Sequence, residues 1–454
     1  EGLEPNFISN MKRYFSSPVL TLFFTYTLFI SSTFTIAGQD ASIIFLYLLG
    51  IYSLIRNRKL PDMSHPMLWM FLLFTAFSLI SGVLNQYEVD ALMNLRSNWR
   101  MLLPFVLLTV LHMVDEENLL KTYYAFWLFI AVYGIVQFFN GADWFRPQES
   151  SVSTPYMSSG GESGVFHAKG NFTHHLTFGG SMLICSSLAA SFLFIRGLYL
   201  TTRLLMIPAV LILWLSTAAS LGRSIWVGLT VALFLLLLRI SPKLMIIATV
   251  LLTVTATLLF MNFGEGLLST GKPETRIEII QHRLASGFNL KSNRDRLLMW
   301  KSAWHGIRDH FWLGIGFQKD AEVMEPYREK IIQETGHHFI NSAGVGVHNI
   351  YLQTWLNFGI FGFISYLGIW IVFFYQVVKG ISNTQKFDYS NCILWGALAG
   401  IGGFMAAGFF ENNFRDGEVQ TSVLLLVSLA LYEIQKQRSL FLKKRSSMTM
   451  NRIL

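Results

Sequence analysis

Residues 204–238 read LLMIPAVLILWLSTAASLGRSIWVGLTVALFLLLL, and Arg223 is the one charge between two apolar runs. A membrane-crossing helix takes roughly 20 mainly apolar residues, which makes 204–220 and 224–238 two successive spans. An arginine there costs roughly 2.5–3.5 kcal/mol on insertion scales if it lies at the bilayer centre, so it needs an anion. Two anions are open to it. One is a lipid headgroup phosphate reached by snorkelling. The other is a substrate phosphate held by the guanidinium fork, to which arginine is geometrically suited.

Outward from this stretch the pattern repeats. Apolar runs fall at 17–36, 41–55, 67–84, 100–114, 119–140, 173–195, 204–220, 224–238, 244–262, 347–378, 391–410 and 419–434. These predict about twelve helical spans, since an exposed backbone in hydrocarbon must satisfy its own polar groups. The run at 347–378 is long enough to cross with tilt or to project beyond the bilayer. The whole chain agrees: 454 residues, 52% hydrophobic, 14% charged, and a mean hydropathy of +0.45. The predicted class is all-α, a polytopic integral membrane protein.

The net charge of +8, from 35 Lys and Arg against 27 acids, fits cytoplasmic loops and lipid headgroups. No basic tract interleaved with aromatics points to nucleic acid. Cys185 and Cys392 lie in separate apolar runs and read as small core residues. No cleavable signal pattern precedes the first span. Met11 reads as the native first residue, with Glu1 to Asn10 an addition.

Short basic connections orient the chain. Arg56, Arg58 and Lys59, then Arg196 and Arg203, Arg239 and Lys243, Lys379 and Lys386, and the tail from Lys436 to Arg445 all fall on one side. The positive-inside rule makes that side cytoplasmic. Gly38 to Asp40, 85–99, 141–172, Ser220 to Arg223, 263–346 and Glu411 to Glu418 then connect spans on the outer face, the periplasm of a bacterium. The expected organisation is residues 1–262 with about nine spans and a loop at 141–172, a large outer loop at 263–346, and 347–454 with the last three spans and a basic tail.

The large loop gathers the polar chemistry: Arg276, Arg283, Arg294, Arg296, His305, Arg308, His337 and His338, with His348 at its exit. From Arg296, apolar residues recur at 297, 300, 304, 307 and 311, which predicts an interfacial amphipathic helix. The segment 141–172, rich in Ser, Gly and Pro, reads as loop. Taken singly, each candidate has a plain reading. Arg296 is a solvated charge on that helix, and Arg100, beside Trp99, an interface anchor. His348 before a helix is either a structural histidine or a general base. His174 and His175 open the sixth span. The histidine spacings are irregular and contain no H-E-x-x-H, so no metal site is predicted. An outer face rich in Arg and His suits an anionic, phosphorylated substrate with one base to activate a hydroxyl.

Four segments together resemble a known family. They are Ser220-Leu-Gly-Arg223-Ser-Ile-Trp226-Val-Gly228; Arg296-x-x-x-Trp300 with Trp312-Leu-Gly314-Ile-Gly316; Val347-His348-Asn349-x-Tyr351-Leu352 with Gly359-Ile-Phe-Gly362; and, more weakly, Gly170-Asn-Phe-Thr-His174-His175. They resemble the O-antigen ligase and O-antigen polymerase superfamily of bacterial inner membranes. The resemblance implies an inverting, metal-independent glycosyltransferase without cofactor. Its donor would be a glycan on undecaprenyl pyrophosphate, its acceptor a sugar hydroxyl of lipid A-core, and its active site would face the periplasm. By motif, Arg223 and Arg296 would bind the pyrophosphate, with Arg100 as a further contact, and His348 would be the general base. His338, His174 and Asn349 are candidates for other substrate contacts. A polymerase joining lipid-linked repeat units has the same donor chemistry. A transporter of anionic lipid, the reading from another class, would need polar residues at mid-span depth.

Overall fold

The computed structural model describes residues 18–57, 65–85, 98–145, 165–251, 290–317, 319, 323–338 and 346–453. Met11, Arg276, Arg283, residues 146–164 of the 141–172 loop and most of the ninth apolar run lie outside them. The described residues are helical throughout, without a strand. In chain order the helices are α1 (Pro18–Ser31), α2 (Ile36–Asn57), α3 (Pro66–Leu84), α4 (Leu103–Val110), α5 (Glu116–Asn140), α6 (His175–Phe192), α7 (Leu200–Ala219) and α8 (Arg223–Ile240). Then come α9 (Pro242–Leu251), α10 (Leu290–Asp309), α11 (Glu325–Thr335), α12 (Ile350–Ser382), α13 (Tyr389–Ala407) and α14 (Gly417–Ile453).

Eight are long and apolar enough to cross a membrane: α3, α5, α6, α7, α8, α12, α13 and the first 24 residues of α14. The other predicted runs appear as shorter apolar helices at Val19–Ser31, Ile36–Tyr52, Trp99–Met113 and Pro242–Leu251. The protein is an all-α, multi-pass membrane protein. One predicted connection moves. The turn between the first two helices lies at 32–35, and Gly38 to Asp40 form the start of α2. Local hydrogen bonding makes that turn: the Ser32 amide donates to Leu28 O, Thr33 to Ile30 O, and Phe34 and Thr35 both to Ser31 O.

Burial separates centre from periphery. The spans α6 and α14 are 89% buried and α13 72%, against 22% for α7. Where α8 meets α13, Gly228 and Gly403 face each other so closely that a Cβ on Gly403 would stand 2.5 Å from the Gly228 carbonyl oxygen. Small residues at a crossing let two backbones approach, which is how helices gain contact energy in lipid.

The loops show which helix ends share a side. At one end, Gln137 near the close of α5 bonds the Gly170 carbonyl, and His175 opening α6 bonds the Ser220 carbonyl after α7. The Ile350 amide opening α12 donates to Gly408 after α13. At the other end, Lys436 of α14 pairs with Glu116, which opens α5, at 2.8 Å. Arg239 closing α8 bonds Ser191 of α6 there.

The run from 347 is not one helix. At Gly359 the backbone takes φ 65, ψ −173, and α12 breaks into a short first segment and a long second one. The chain at 311–316 docks into the break. Ile360 N donates to Phe311 O at 2.9 Å, Ile315 N to Leu356 O at 2.8 Å and Gly316 N to Asn357 O at 3.0 Å. Backbone polar groups freed by the kink are thus satisfied within the protein, the condition for irregular backbone among spans. Ser81 of α3 adds a bond to Asn357 O at 2.9 Å, and Asn85 one to Gly314 O at 3.1 Å.

Candidate active site at the mouth of α12

His348 stands where the chain enters α12, in the left-handed region at φ 50. A residue with a Cβ holds such a conformation at a cost of order 1–3 kcal/mol, and it persists only where its surroundings fix it. Both neighbours are fixed. The Val347 amide donates to Gln353 Oε1 at 2.9 Å, and its carbonyl accepts from Trp300 Nε1 at 3.1 Å. Asn349 caps α12 by accepting from the Tyr351 and Leu352 amides, both at 2.9 Å. Its Nδ2 donates to Phe409 O at 3.0 Å. Both ends of the Asn349 side chain thus help to hold the start of α12.

Those ties bring the short connection between α13 and α14 against His348. Its carboxylate, Glu411, accepts from or shares a proton with His348 Nδ1 at 3.0 Å. Its other oxygen lies 3.8 Å from the Arg296 guanidinium on α10. Burial raises the Glu411 pKa, but the His348 hydrogen bond, the charges of His348 and Arg296, and the Asn412 amide outweigh it and hold Glu411 below the ordinary carboxylate value. It is therefore ionised at neutral pH. An ionised partner at Nδ1 favours a proton on that nitrogen, which leaves Nε2 as the basic lone pair. The His348 side chain remains 30% exposed.

Arg296 is mostly buried. Burial lowers its pKa, against the pull of Glu411, and since arginine stays protonated in proteins, the cost is a cation short of partners. Its single carboxylate among the described residues, at 3.8 Å, is shared with His348. A second anion would relieve it.

His174 belongs to the same electrostatic group. Burial lowers its pKa, Glu411 opposes this, and His348 adds to it, so His174 is neutral near pH 7. Its Nδ1 accepts from the Leu176 amide at 3.2 Å as the cap of α6. Its ring lies 4.5 Å from that of His175, which stacks 4.0 Å from His167. His175 Nδ1 meets Ser220 O at 2.8 Å, which draws the turn before Arg223 to this end of the bundle. Leu221 in that turn has φ 54 and is buried against Val165, Phe138 and Trp226. Trp226 Nε1 caps the end of α7 at Ala218 O, 2.9 Å away. Arg223, half-buried, is the first residue of α8.

The structure therefore groups His348, Arg296 and His174 around Glu411, with Asn349 as support, while Arg223 follows the turn whose Ser220 carbonyl meets His175. Arg100 stands apart from these contacts. It pairs with Asp40 at 2.6 and 3.1 Å and lies over Trp99 and against Gly417. His338 is exposed just beyond α11. Glu411 was not among the residues the sequence singled out. Its only signal was an acid in a short connection, Phe409-Phe-Glu411-Asn-Asn-Phe, among several such acids.

Beneath the group lies a cavity of about 40 Å³ lined by Asn98, Gln353, Asn357, Asn412, Arg415 and Gln420, among others. That admits about a water molecule, not a sugar, so any sugar must approach from the open side of His348. Among the described residues no three of His, Cys, Asp and Glu are grouped to hold a metal ion.

Comparison with known proteins adds a match at the level of sequence. A search of the curated proteins returns no match. The family model described as O-Antigen ligase matches residues 208–367, from the second half of α7 to beyond the break in α12. Arg223, Arg296 and His348 lie within that segment, and Glu411 and His174 outside it. The match over residues 208–367 agrees with the resemblance of the sequence motifs to the O-antigen ligase and polymerase superfamily.

Proposed function

We propose that the protein is an O-antigen ligase of the bacterial inner membrane. It transfers a glycan from undecaprenyl pyrophosphate to a sugar hydroxyl of lipid A-core on the periplasmic side. The observation that carries this is the His348–Glu411 contact at 3.0 Å beside the Arg296 guanidinium. It sets an oriented base next to a cation that lacks a full complement of anions.

The step follows from that arrangement. The acceptor hydroxyl oxygen attacks the anomeric carbon and gives its proton to His348 Nε2. The bond from that carbon to the pyrophosphate oxygen breaks, and undecaprenyl pyrophosphate leaves with the electron pair. Diphosphate departs as an anion, so fixed positive charge lowers the barrier more than acid catalysis would. Arg296 and Arg223 supply that charge. Glu411 keeps Nδ1 protonated and stabilises the imidazolium that forms, and Asn349 and Trp300 hold the backbone on either side of His348. Inversion at the anomeric carbon follows from a single displacement.

The test is reconstitution of the purified chain in proteoliposomes with lipid-linked glycan and lipid A-core, with EDTA present. A glycan ladder on lipid A-core that disappears in His348→Ala and Arg296→Ala supports the ligase. Longer lipid-linked glycan beside unmodified lipid A-core would make the protein a polymerase. Activity retained in His348→Ala would end the general-base assignment.

A further inference from the structure

At the end of the bundle away from His348, α5, α6 and α7 enclose a half-open cleft of about 500 Å³. Its walls are mainly apolar, with Leu120, Tyr124 and Leu128 on α5, Phe192 on α6, and Met206 and Leu213 on α7. The lining runs along α5 from Glu117 to Leu128, roughly 16 Å at 1.5 Å per residue. That is about the depth of one leaflet of a ~30 Å hydrocarbon core. The outer wall, α7, is the least buried of the eight long apolar helices, at 22%, and presents Leu204, Leu205 and Leu211 outward. A hydrocarbon chain can therefore enter sideways from the bilayer.

A cation sits at the mouth. Arg203 follows Thr202, which lines the cleft, and reaches back to the carbonyl of Ile195, also in the lining, at 3.3 Å. Its Nε is buried and without a hydrogen-bond partner, and no carboxylate pairs with it among the described residues. The acid at the mouth, Glu117, is already neutralised by Lys121 at 2.7 Å. A guanidinium with an unused N–H at the headgroup end of a leaflet-deep apolar cleft matches the two parts of a glycerophospholipid. One is an acyl chain, the other a phosphodiester that accepts two parallel N–H bonds.

We propose that this cleft binds one glycerophospholipid from the leaflet opposite the His348 face, with an acyl chain between α5 and α7 and the phosphodiester on Arg203. The proposal is independent of the donor and acceptor assigned above. It is tested on the full chain in detergent by native mass spectrometry, with dioleoyl phosphatidylglycerol or dioleoylglycerol added; the second has the same acyl chains and no phosphate. One phosphatidylglycerol per chain is expected to survive desolvation, with dioleoylglycerol retained about tenfold less, equivalent to about 1.4 kcal/mol. Arg203→Gln should lower phosphatidylglycerol to the dioleoylglycerol level. Ala125→Trp, which fills the cleft from an exposed lining position, should remove both. Equal retention of the two lipids by wild type would overturn the phosphate contact, and unchanged retention in Ala125→Trp would overturn the cleft. If either variant does not elute as wild type does, competition decides: phosphatidylglycerol must saturate the wild-type chain at one equivalent against excess dioleoylglycerol.

Discussion

At the residue scale, the proposed chemistry turns on Glu411 through its contact with His348. In Glu411→Gln an amide N–H can face Nδ1 and favour the other tautomer, leaving the base protonated where it should accept. A fall in kcat of roughly a hundredfold or more is expected, with KM little changed, since the oriented base works only in the transition state. Steady-state kinetics in proteoliposomes check it, and a change confined to KM would count against the role. The carboxylate also contributes to stability. Its folded pKa lies below the ordinary value, so the contribution is full above the unfolded pKa, about 4.3, and is lost as pH falls through the folded one. The melting temperature of wild type should exceed that of Glu411→Gln at pH 7, and the gap should narrow as the pH falls below about 4.3. His348 adds a test of strain. At φ 50 glycine fits and alanine does not, so His348→Gly should be more stable than His348→Ala by about 1 kcal/mol, both being inactive. Denaturant melts of the two purified variants would show the difference.

At the element scale, the break in α12 sets where its short first segment points, and with it the approach to His348. A Cβ on Gly359 would stand 2.1 Å from the Trp312 carbonyl oxygen, and one on Gly314 2.5 Å from the Asn357 carbonyl oxygen. Neither backbone can retreat without losing the bonds that bridge the break. Gly359→Ala should therefore sharply lower the yield of folded protein. Gly50→Ala in α2, with nothing within 4 Å of the new Cβ, should gain about 0.5–1 kcal/mol from helix propensity. Fluorescence-detected size exclusion on both variants tests the contrast, and equal yields would remove the brace from the explanation. The sequence displayed these glycines as a Gly-x-Gly stretch and a Gly359–Gly362 pair. It did not show that the two are halves of one backbone contact, because the pairing joins segments some forty residues apart.

At the scale of the whole molecule, Arg100 ties the start of α4 to α2 through Asp40 and packs on the first residue of α14. Arg100→Ala should lower the melting temperature and the activity together. Arg223→Ala should lower activity. A loss of donor affinity in Arg100→Ala at an unchanged melting temperature would instead put Arg100 in the phosphate site. The bundle's two ends also differ in kind. One holds a strained, partly open group of charges, and the other holds compact ion pairs such as Lys436 with Glu116.

The sequence by itself determined the class of the protein, because apolar run length is a local property and hydrocarbon thickness sets what a run must be. It also offered Arg223 as a candidate, a lone charge between two apolar runs, whereas Arg296 and His348 rose above their plain readings only through the family resemblance. The amphipathic helix from Arg296 was legible from its local spacing, as part of α10. Tertiary structure alone decided that His348 is oriented by Glu411, that Arg100 is taken by Asp40, and that Asn349 caps a helix. Each of these depends on which of many chemically similar side chains lies within about 3 Å. The distances arise from packing between helices distant in the chain, and no local pattern encodes them.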